Sequence, residues 1–92
     1  MQKLELVVTN EVGLHARPAA VFVQTANKFA SSIKMRNITN GREFVDAKSI
    51  LGVLILGVGK DHAIEIEIEG SDEVQAAQTL KEMIESDFSG LP

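Results

Sequence analysis

The 92-residue chain contains no cysteine, tryptophan or tyrosine and only two prolines. Without cysteine there is no disulfide, no thiolate metal site and no thiol redox chemistry. The most apolar stretch, residues 49–58, is interrupted by Gly52 and Gly57, so no segment approaches the ~20 apolar residues of a membrane span. The N-terminus lacks the basic and apolar regions of a signal peptide. We therefore expect a cytoplasmic protein with no membrane insertion.

The charge balance excludes a second class of function. The formal net charge is −4, whereas a nucleic-acid-binding domain needs a basic face that displaces counterions. Phenylalanine is the only aromatic residue, with four copies, which leaves little surface on which bases could stack. We expect no nucleic-acid partner.

Hydrophobic periodicity predicts seven secondary-structure elements in a single domain, residues 1–88, followed by a short C-terminal tail at 89–92. Their order is β-α-β-β-α-β-α, a split β-α-β arrangement with an additional helix, so helices should cover one face of an antiparallel sheet. The predicted strands are 1–9, 32–38, 42–47 and 63–70; the predicted helices run from Pro18 to near Phe29, from Ser49 to Gly57 and from Ser71 to Phe88.

Turn and cap residues refine this assignment. Asn40-Gly41 predicts a tight hairpin turn between the second and third strands, because both residues tolerate positive φ. Residues 49–57 fit either a buried strand or a short helix. Since Ser49 is a good N-cap and Gly57 a good C-terminal stop, we interpret this segment as a helix of about two turns.

The last strand and the last helix have the clearest patterns. The strand alternates isoleucine with glutamate, which predicts one buried face and one face of three carboxylates in water. We interpret those carboxylates as a solvated surface rather than a cation site. The predicted core stripe of the helix is Ala77, Leu80, Ile84 and Phe88, flanked by Val74 and Met83.

The segment Gly13–Ala20 places a histidine and an arginine where a helix begins. A helix N-terminus favours phosphate through its unpaired N–H groups and partial positive charge. A neutral imidazole such as that of His15 is nucleophilic toward phosphorus, and Arg17 offers a planar donor fork for phosphoryl oxygens.

Other catalytic features are missing from the sequence. It contains no glycine-rich nucleotide loop and no second histidine at metal-ligand spacing, since His62 lies far along the chain in a predicted exposed turn. We therefore interpret the chain as a relay that receives a phosphoryl group from one protein and gives it to another. We expect no metal, no cofactor and no independent enzymatic turnover.

The motif Gly13–Ala20, with Lys48–Gly52 and the spacing between them, resembles HPr, the histidine-containing phosphocarrier of the bacterial sugar phosphotransferase system. The resemblance covers nearly the whole chain. It implies an open-faced two-layer sandwich in which three helices cover one face of a four-stranded antiparallel sheet. It also implies that His15 carries phosphate on Nδ1, taken from enzyme I and passed to the IIA components of sugar transporters. Arg17 would stabilise the transferred group, supported by Ala16 and Pro18.

The resemblance extends to Ser49. It matches the regulatory serine that HPr kinase/phosphorylase modifies in many bacteria, creating a partner for the catabolite-control repressor. The same residue has a purely structural interpretation as a helix N-cap. Both interpretations stay open, and a phosphate at this position would act on partner choice by adding negative charge near the docking surface.

Docking also requires apolar surface. Leu14, Leu51 and Leu54 match the apolar partner-binding positions of the family and predict an exposed patch near His15, although an alternative places Leu54 in the core. A positive rim that attracts acidic partners is predicted on an otherwise acidic molecule; its residues are Arg17, Lys28 and Lys48. Such contacts are small and transient, and we expect a monomer.

Two alternatives from other classes share this pattern of elements. One is a ferredoxin-like regulatory or ligand-binding module in which His15 is incidental. The other is a carrier-like transcriptional co-regulator that acts through Ser49 and no longer relays phosphate.

Overall fold

A computed structural model describes residues 1–88; the predicted tail at 89–92 lies outside the described residues. The seven elements follow in the predicted order. The strands are β1 (Gln2–Val8), β2 (Ser32–Asn37), β3 (Val45–Asp46) and β4 (His62–Glu69), and the helices are α1 (Ala16–Ala26), α2 (Ile50–Ile55) and α3 (Glu73–Glu85). The predicted fold class, an open-faced sandwich of four antiparallel strands and three helices, is confirmed.

The sheet has the order β1-β4-β2-β3, and every neighbouring pair is antiparallel. β4 lies inside the sheet and pairs with both β1 and β2. Its residues Ile64, Ile66 and Ile68 are fully buried, as the alternating pattern predicts. Within residues 1–88, no helix is long and apolar enough to cross a membrane.

The predicted core of α3 is largely correct. Ala77, Leu80, Ile84 and Phe88 are buried, and Ala76 joins them. The prediction that Val74 flanks this stripe is wrong, since it is 65% exposed. Val74 lies roughly 100° around the helix from the centre of the buried stripe.

The third strand and its turn differ from the prediction. β3 contains two residues rather than the six of 42–47, and within the predicted tight turn only Gly41 has a positive φ, of 75°. The Asn40 side chain instead donates to the carbonyl of Leu56, just after α2, at 2.8 Å. This bond draws the turn toward α2, so the loop does not form a two-residue hairpin.

α1 is shorter than predicted at its C-terminus and longer at its N-terminus. It begins at Ala16, so Pro18 is its third residue, where the N–H of a helix has no intrahelical acceptor. It ends before Phe29 because Asn27 takes the C-cap position. The Asn27 side chain donates to the carbonyls of Val23, at 2.9 Å, and Lys48, at 3.0 Å.

The glutamates of β4 are less solvated than predicted. Arg36 binds Glu65 at 2.6 Å and also lies 5.3 Å from the centroid of the Phe44 ring. Lys3 lies 3.6 Å from Glu67. Two of the three carboxylates are therefore screened by cations of neighbouring strands.

Asp72 joins the start of α3 to the segment between α1 and β2. Its carboxylate accepts hydrogen bonds from the backbone N–H groups of Ala30 and Ser31 and from the Ser31 hydroxyl. Gly70 allows this approach, since a Cβ there would lie 2.6 Å from the Ser31 Cα. These bonds, that of the Ser31 hydroxyl first, lower the pKa of Asp72 from its ordinary value of 3.8.

We predict that Asp72→Asn destabilises the fold in a pH-dependent way. Because the pKa of Asp72 is lowered in the folded state, its stabilising contribution is fully present above about pH 5 and is lost as the pH falls below about 4. The measurement is urea unfolding of wild type and variant between pH 2.5 and 7. The difference in free energy of unfolding should shrink with acid, while exposed Glu43→Gln serves as control. A difference that is constant with pH would contradict this assignment.

Candidate functional site

The loop between β1 and α1 packs against the loop between α2 and β4. Gly13 adopts a left-handed conformation, with φ of 60°, and a Cβ there would lie 2.2 Å from the carbonyl oxygen of Val58. The next residue, Leu14, donates its N–H to that same oxygen at 2.9 Å. Only glycine satisfies both the conformation and the space, so this contact fixes where α1 begins.

His15 occupies the N-cap position of α1, with extended backbone (φ −109°, ψ 154°). Its carbonyl oxygen accepts the N–H of Ala19 at 3.5 Å. Within residues 1–88, the imidazole makes no capping hydrogen bond, and the residue is exposed. The ring therefore stands at a helix N-terminus, where unpaired N–H groups and the helix dipole favour an anion.

Ala16 has a backbone conformation that side chains rarely adopt. Its φ is 46°, which costs about 1–2 kcal/mol for a residue with a Cβ. The residue follows His15 directly, so the turn into α1 is sharp at this point. Sequence patterns predict the helix start but contain no sign of this conformation.

The remaining residues of the motif divide between surface and core. Arg17 is exposed as the second residue of α1, whereas Pro18 and Ala19 are buried. The prediction that Leu14 belongs to an exposed patch is wrong, since it is 1% exposed. Its backbone N–H bonds to the loop after α2, and its side chain lies in the core.

α2 exposes more apolar surface than predicted. Leu51 is 70% exposed and Leu54 38%, so Leu54 does not lie in the core. Ile50 and Ile55 are also exposed, while Val53 and Leu56 are buried. We call Ile50, Leu51, Leu54 and Ile55 the α2 patch. Sequence analysis missed both isoleucines, although a short helix that is apolar on every side indicates an exposed apolar face.

α1 and α2 run antiparallel beside each other. The C-cap of α1, Asn27, bonds to the carbonyl of Lys48 at the start of α2. At the other end, the loop that carries His15 packs against Val58, just after α2. His15 therefore lies toward the C-terminal end of α2 and Ser49 at its N-terminal end. The helix between them is about 9 Å long.

Ser49 is the N-cap of α2, as predicted. Its side-chain oxygen accepts the N–H of Gly52 at 3.2 Å. Its neighbour Lys48 directs its ammonium to the carbonyl of Phe29, at 2.7 Å. Lys48 is thus half-buried, and its charge sits at the end of α1.

His62 is not the exposed turn residue that the sequence predicts. It begins β4, and its Nδ1 lies 3.1 Å from the N–H of Gly59 and 3.1 Å from the side-chain nitrogen of Asn37. Both neighbours are donors, so Nδ1 acts as acceptor. Its contacts assign His62 a structural role in the loop after α2.

The rest of the described chain offers little for catalysis near His15. Within residues 1–88, no group of three or more histidine, aspartate or glutamate side chains is placed to hold a metal ion. A groove of about 460 Å³ lies between β2 and β3, and its lining includes Lys34, Phe44 and Lys48 but not His15.

Comparisons of the chain with known proteins all point to the same family. The family model for the phosphorylation site of the HPr component of the phosphotransferase system matches residues 2–86. The chain is 46% identical over 89 residues to phosphocarrier protein HPr of Xylella fastidiosa (strain 9a5c), with 97% of each chain covered.

Solved structures agree with this match. HPr-C-His from Thermoanaerobacter tengcongensis superposes with a TM-score of 0.91 at 41% identity, and both chains are covered completely. HPr from Bacillus anthracis superposes with a TM-score of 0.84 at 37% identity, with 90% of this chain and 95% of that one covered. A family match over nearly the whole length, on a fold with an exposed histidine at the start of α1, shows that this chain belongs to the HPr family of phosphocarriers of the phosphotransferase system.

Proposed function

We propose that His15 is the residue that carries the phosphoryl group, which it accepts in the cytoplasm from enzyme I and passes to the IIA components of sugar transporters. One observation supports this proposal above the others: the imidazole is exposed at the N-terminus of α1. A docked protein can reach it there, and the helix terminus favours the phosphoryl oxygens. An unrelated ferredoxin-like module is no longer an alternative, given the family membership.

In the proposed transfer, the Nδ1 lone pair of His15 attacks phosphorus, the bond from phosphorus to the donor atom of phosphorylated enzyme I breaks, and that atom keeps the electron pair. In the second transfer, a nucleophile of the acceptor attacks the same phosphorus, the bond from phosphorus to Nδ1 breaks, and the imidazole keeps the electron pair. Arg17 is exposed on the first turn of α1, where its guanidinium supplies a donor fork for the phosphoryl oxygens. Ala16 and Pro18 shape the first turn around the N–H groups that face the anion.

We propose that the α2 patch is the docking surface for both partners. Four exposed apolar side chains on one short helix are unusual for a surface that stays in water. Arg17 is exposed on α1 and Lys28 just after its C-cap, and with Lys48 they form the basic rim for acidic partners. The chain would act as a monomer, because self-association through the α2 patch would cover this surface.

Ser49 is the proposed regulatory site, modified by HPr kinase/phosphorylase to create a partner for the catabolite-control repressor. The residue is half-buried at the N-terminus of α2 and directly precedes two members of the α2 patch, Ile50 and Leu51. A phosphate there would be tolerated by the helix terminus while placing negative charge on the docking surface. Its effect would therefore be on which partner binds.

We predict that His15→Ala abolishes phosphorylation by enzyme I and phosphoenolpyruvate. Wild type should acquire acid-labile, hydroxylamine-sensitive phosphate, as a phosphohistidine does. The matched control is His62→Asn at the second of the two histidines, where the Asn oxygen can still accept the N–H of Gly59. A wild type that gains no phosphate, or a His15→Ala variant that still does, refutes the relay.

Leu51→Ser should weaken docking without changing the fold. Leu51 is 70% exposed, so its removal should raise the KM for phosphorylated enzyme I roughly tenfold, as a loss of about 1–2 kcal/mol in binding would. The kcat should hardly change. Val74→Ser, which removes an equally exposed apolar side chain on α3, is the control. Equal KM values for the two variants would exclude α2 as the docking surface.

Ser49→Ala should have two separate effects. With ATP and HPr kinase/phosphorylase, wild type should gain phosphate on this serine and the variant none. Loss of the bond to Gly52 should also lower the free energy of unfolding by about 1 kcal/mol, measured by urea denaturation. Ser49→Thr preserves the cap and serves as the stability control. A wild type that the kinase leaves unmodified leaves Ser49 with its capping role alone.

A further inference from the structure

The turn that leads to His15 is closed by one residue, Asn10, through its backbone and its side chain. The N–H of Gly13 donates to the backbone carbonyl of Asn10 at 3.1 Å. In the opposite direction, the side-chain nitrogen of Asn10 donates to the carbonyl of Gly13 at 2.8 Å. Both backbone polar groups of Gly13 are therefore held by Asn10. The proposed function assigns this residue no role.

The backbone of Gly13 must be held by other residues if the position of His15 is to be fixed. Glycine has the widest backbone freedom of any residue, and Gly13 is in the left-handed region against the carbonyl of Val58. A rotation there would move Leu14 and, after it, the N-cap residue His15. The side-chain bond from Asn10 opposes such a rotation, because it fixes the carbonyl that leads into Leu14.

Asn10 also retains a costly feature. Its side-chain oxygen is buried and has no hydrogen-bond donor among residues 1–88. A buried unpaired acceptor opposes folding, and such groups are rare enough in native proteins to require an explanation. The amide nitrogen alone makes the bond to Gly13. The orientation of the side chain therefore satisfies its N–H donor and leaves its oxygen unpaired.

We infer that Asn10 is a positioning residue for phosphoryl transfer at His15, acting through Gly13. Its side-chain hydrogen bond described within residues 1–88 goes to Gly13 and not to the imidazole. The inference rests on the proposed function of His15. Substitution of Asn10 should therefore lower kcat, because it changes the geometry of the attacking nitrogen. It should leave KM unchanged, because the α2 patch that governs docking is untouched.

The test compares three substitutions with one control. Asn10→Ala removes the donor, Asn10→Asp places a carboxylate against the Gly13 carbonyl, and Asn10→Ser retains a shorter donor. Asp72→Asn is the control, because it removes hydrogen bonds at the start of α3 rather than in the loop before His15. Phosphoryl acceptance from phosphorylated enzyme I is measured as kcat and KM at matched fractions of folded protein.

For Ala and Asp we expect kcat to fall about 10- to 100-fold, as misplacement of a reacting group does, with KM within about twofold of wild type. Ser should lose less, and Asp72→Asn should leave both constants unchanged. A loss confined to KM, or a loss that Asp72→Asn reproduces, overturns the inference.

A second measurement separates this inference from the proposed function. The NMR signals of the His15 ring and the Gly13 amide should shift in Asn10→Ala and Asn10→Asp but not in Asp72→Asn. If wild type accepts no phosphate from enzyme I, the proposed function fails. The ring signals then still decide the positioning role: movement with Asn10 substitution supports it, and unchanged signals overturn it.

Discussion

The contact between the Gly13 backbone and the carbonyl of Val58 is the constraint on which the site depends. It joins the first half of the chain to the second, because Gly13 precedes α1 and Val58 follows α2. No side chain fits between them, so Leu14 can bond to Val58 and enter the core. His15 then emerges at the start of α1. Asn27 joins the far ends of the same two helices. α1 is thus held against α2 at both ends, which fixes the position of the imidazole relative to the α2 patch.

The elements that could be predicted from sequence are those in which one face must be buried. The alternation in β4 and the stripe in α3 are long enough that only one face can be apolar, and both were correct in position. Element ends were less predictable where asparagine side chains bond to distant carbonyls. Asn27 ends α1 by reaching Lys48, and Asn40 opens the hairpin by reaching Leu56. Those partners are remote in sequence, so no local pattern contains them.

The site shows the same division. Residue types alone indicated His15 and Arg17 as candidate site residues and Ser49 as a helix cap, because an N-terminal helix motif and a capping serine are local features. The exposure of the apolar residues could not be predicted from the local sequence. Leu14 is buried and Leu54 exposed, since their positions depend on how the loops beside α2 pack. The left-handed Ala16 was likewise unpredictable. A cost of about 1–2 kcal/mol at a residue next to His15 persists only when the surrounding structure fixes the backbone.

The position of the His15 imidazole beside the α2 patch has a kinetic consequence. On the proposed function, donor and acceptor need the same face of the carrier, so they bind in alternation and each complex must dissociate before the next transfer. With association at about 10⁶ M⁻¹ s⁻¹, a nanomolar complex would persist for roughly 1,000 s, whereas one of about 10 μM would separate in roughly 0.1 s. Throughput therefore requires weak binding. On the proposed function, the α2 patch, with its four exposed side chains on a six-residue helix, has to bind each partner weakly.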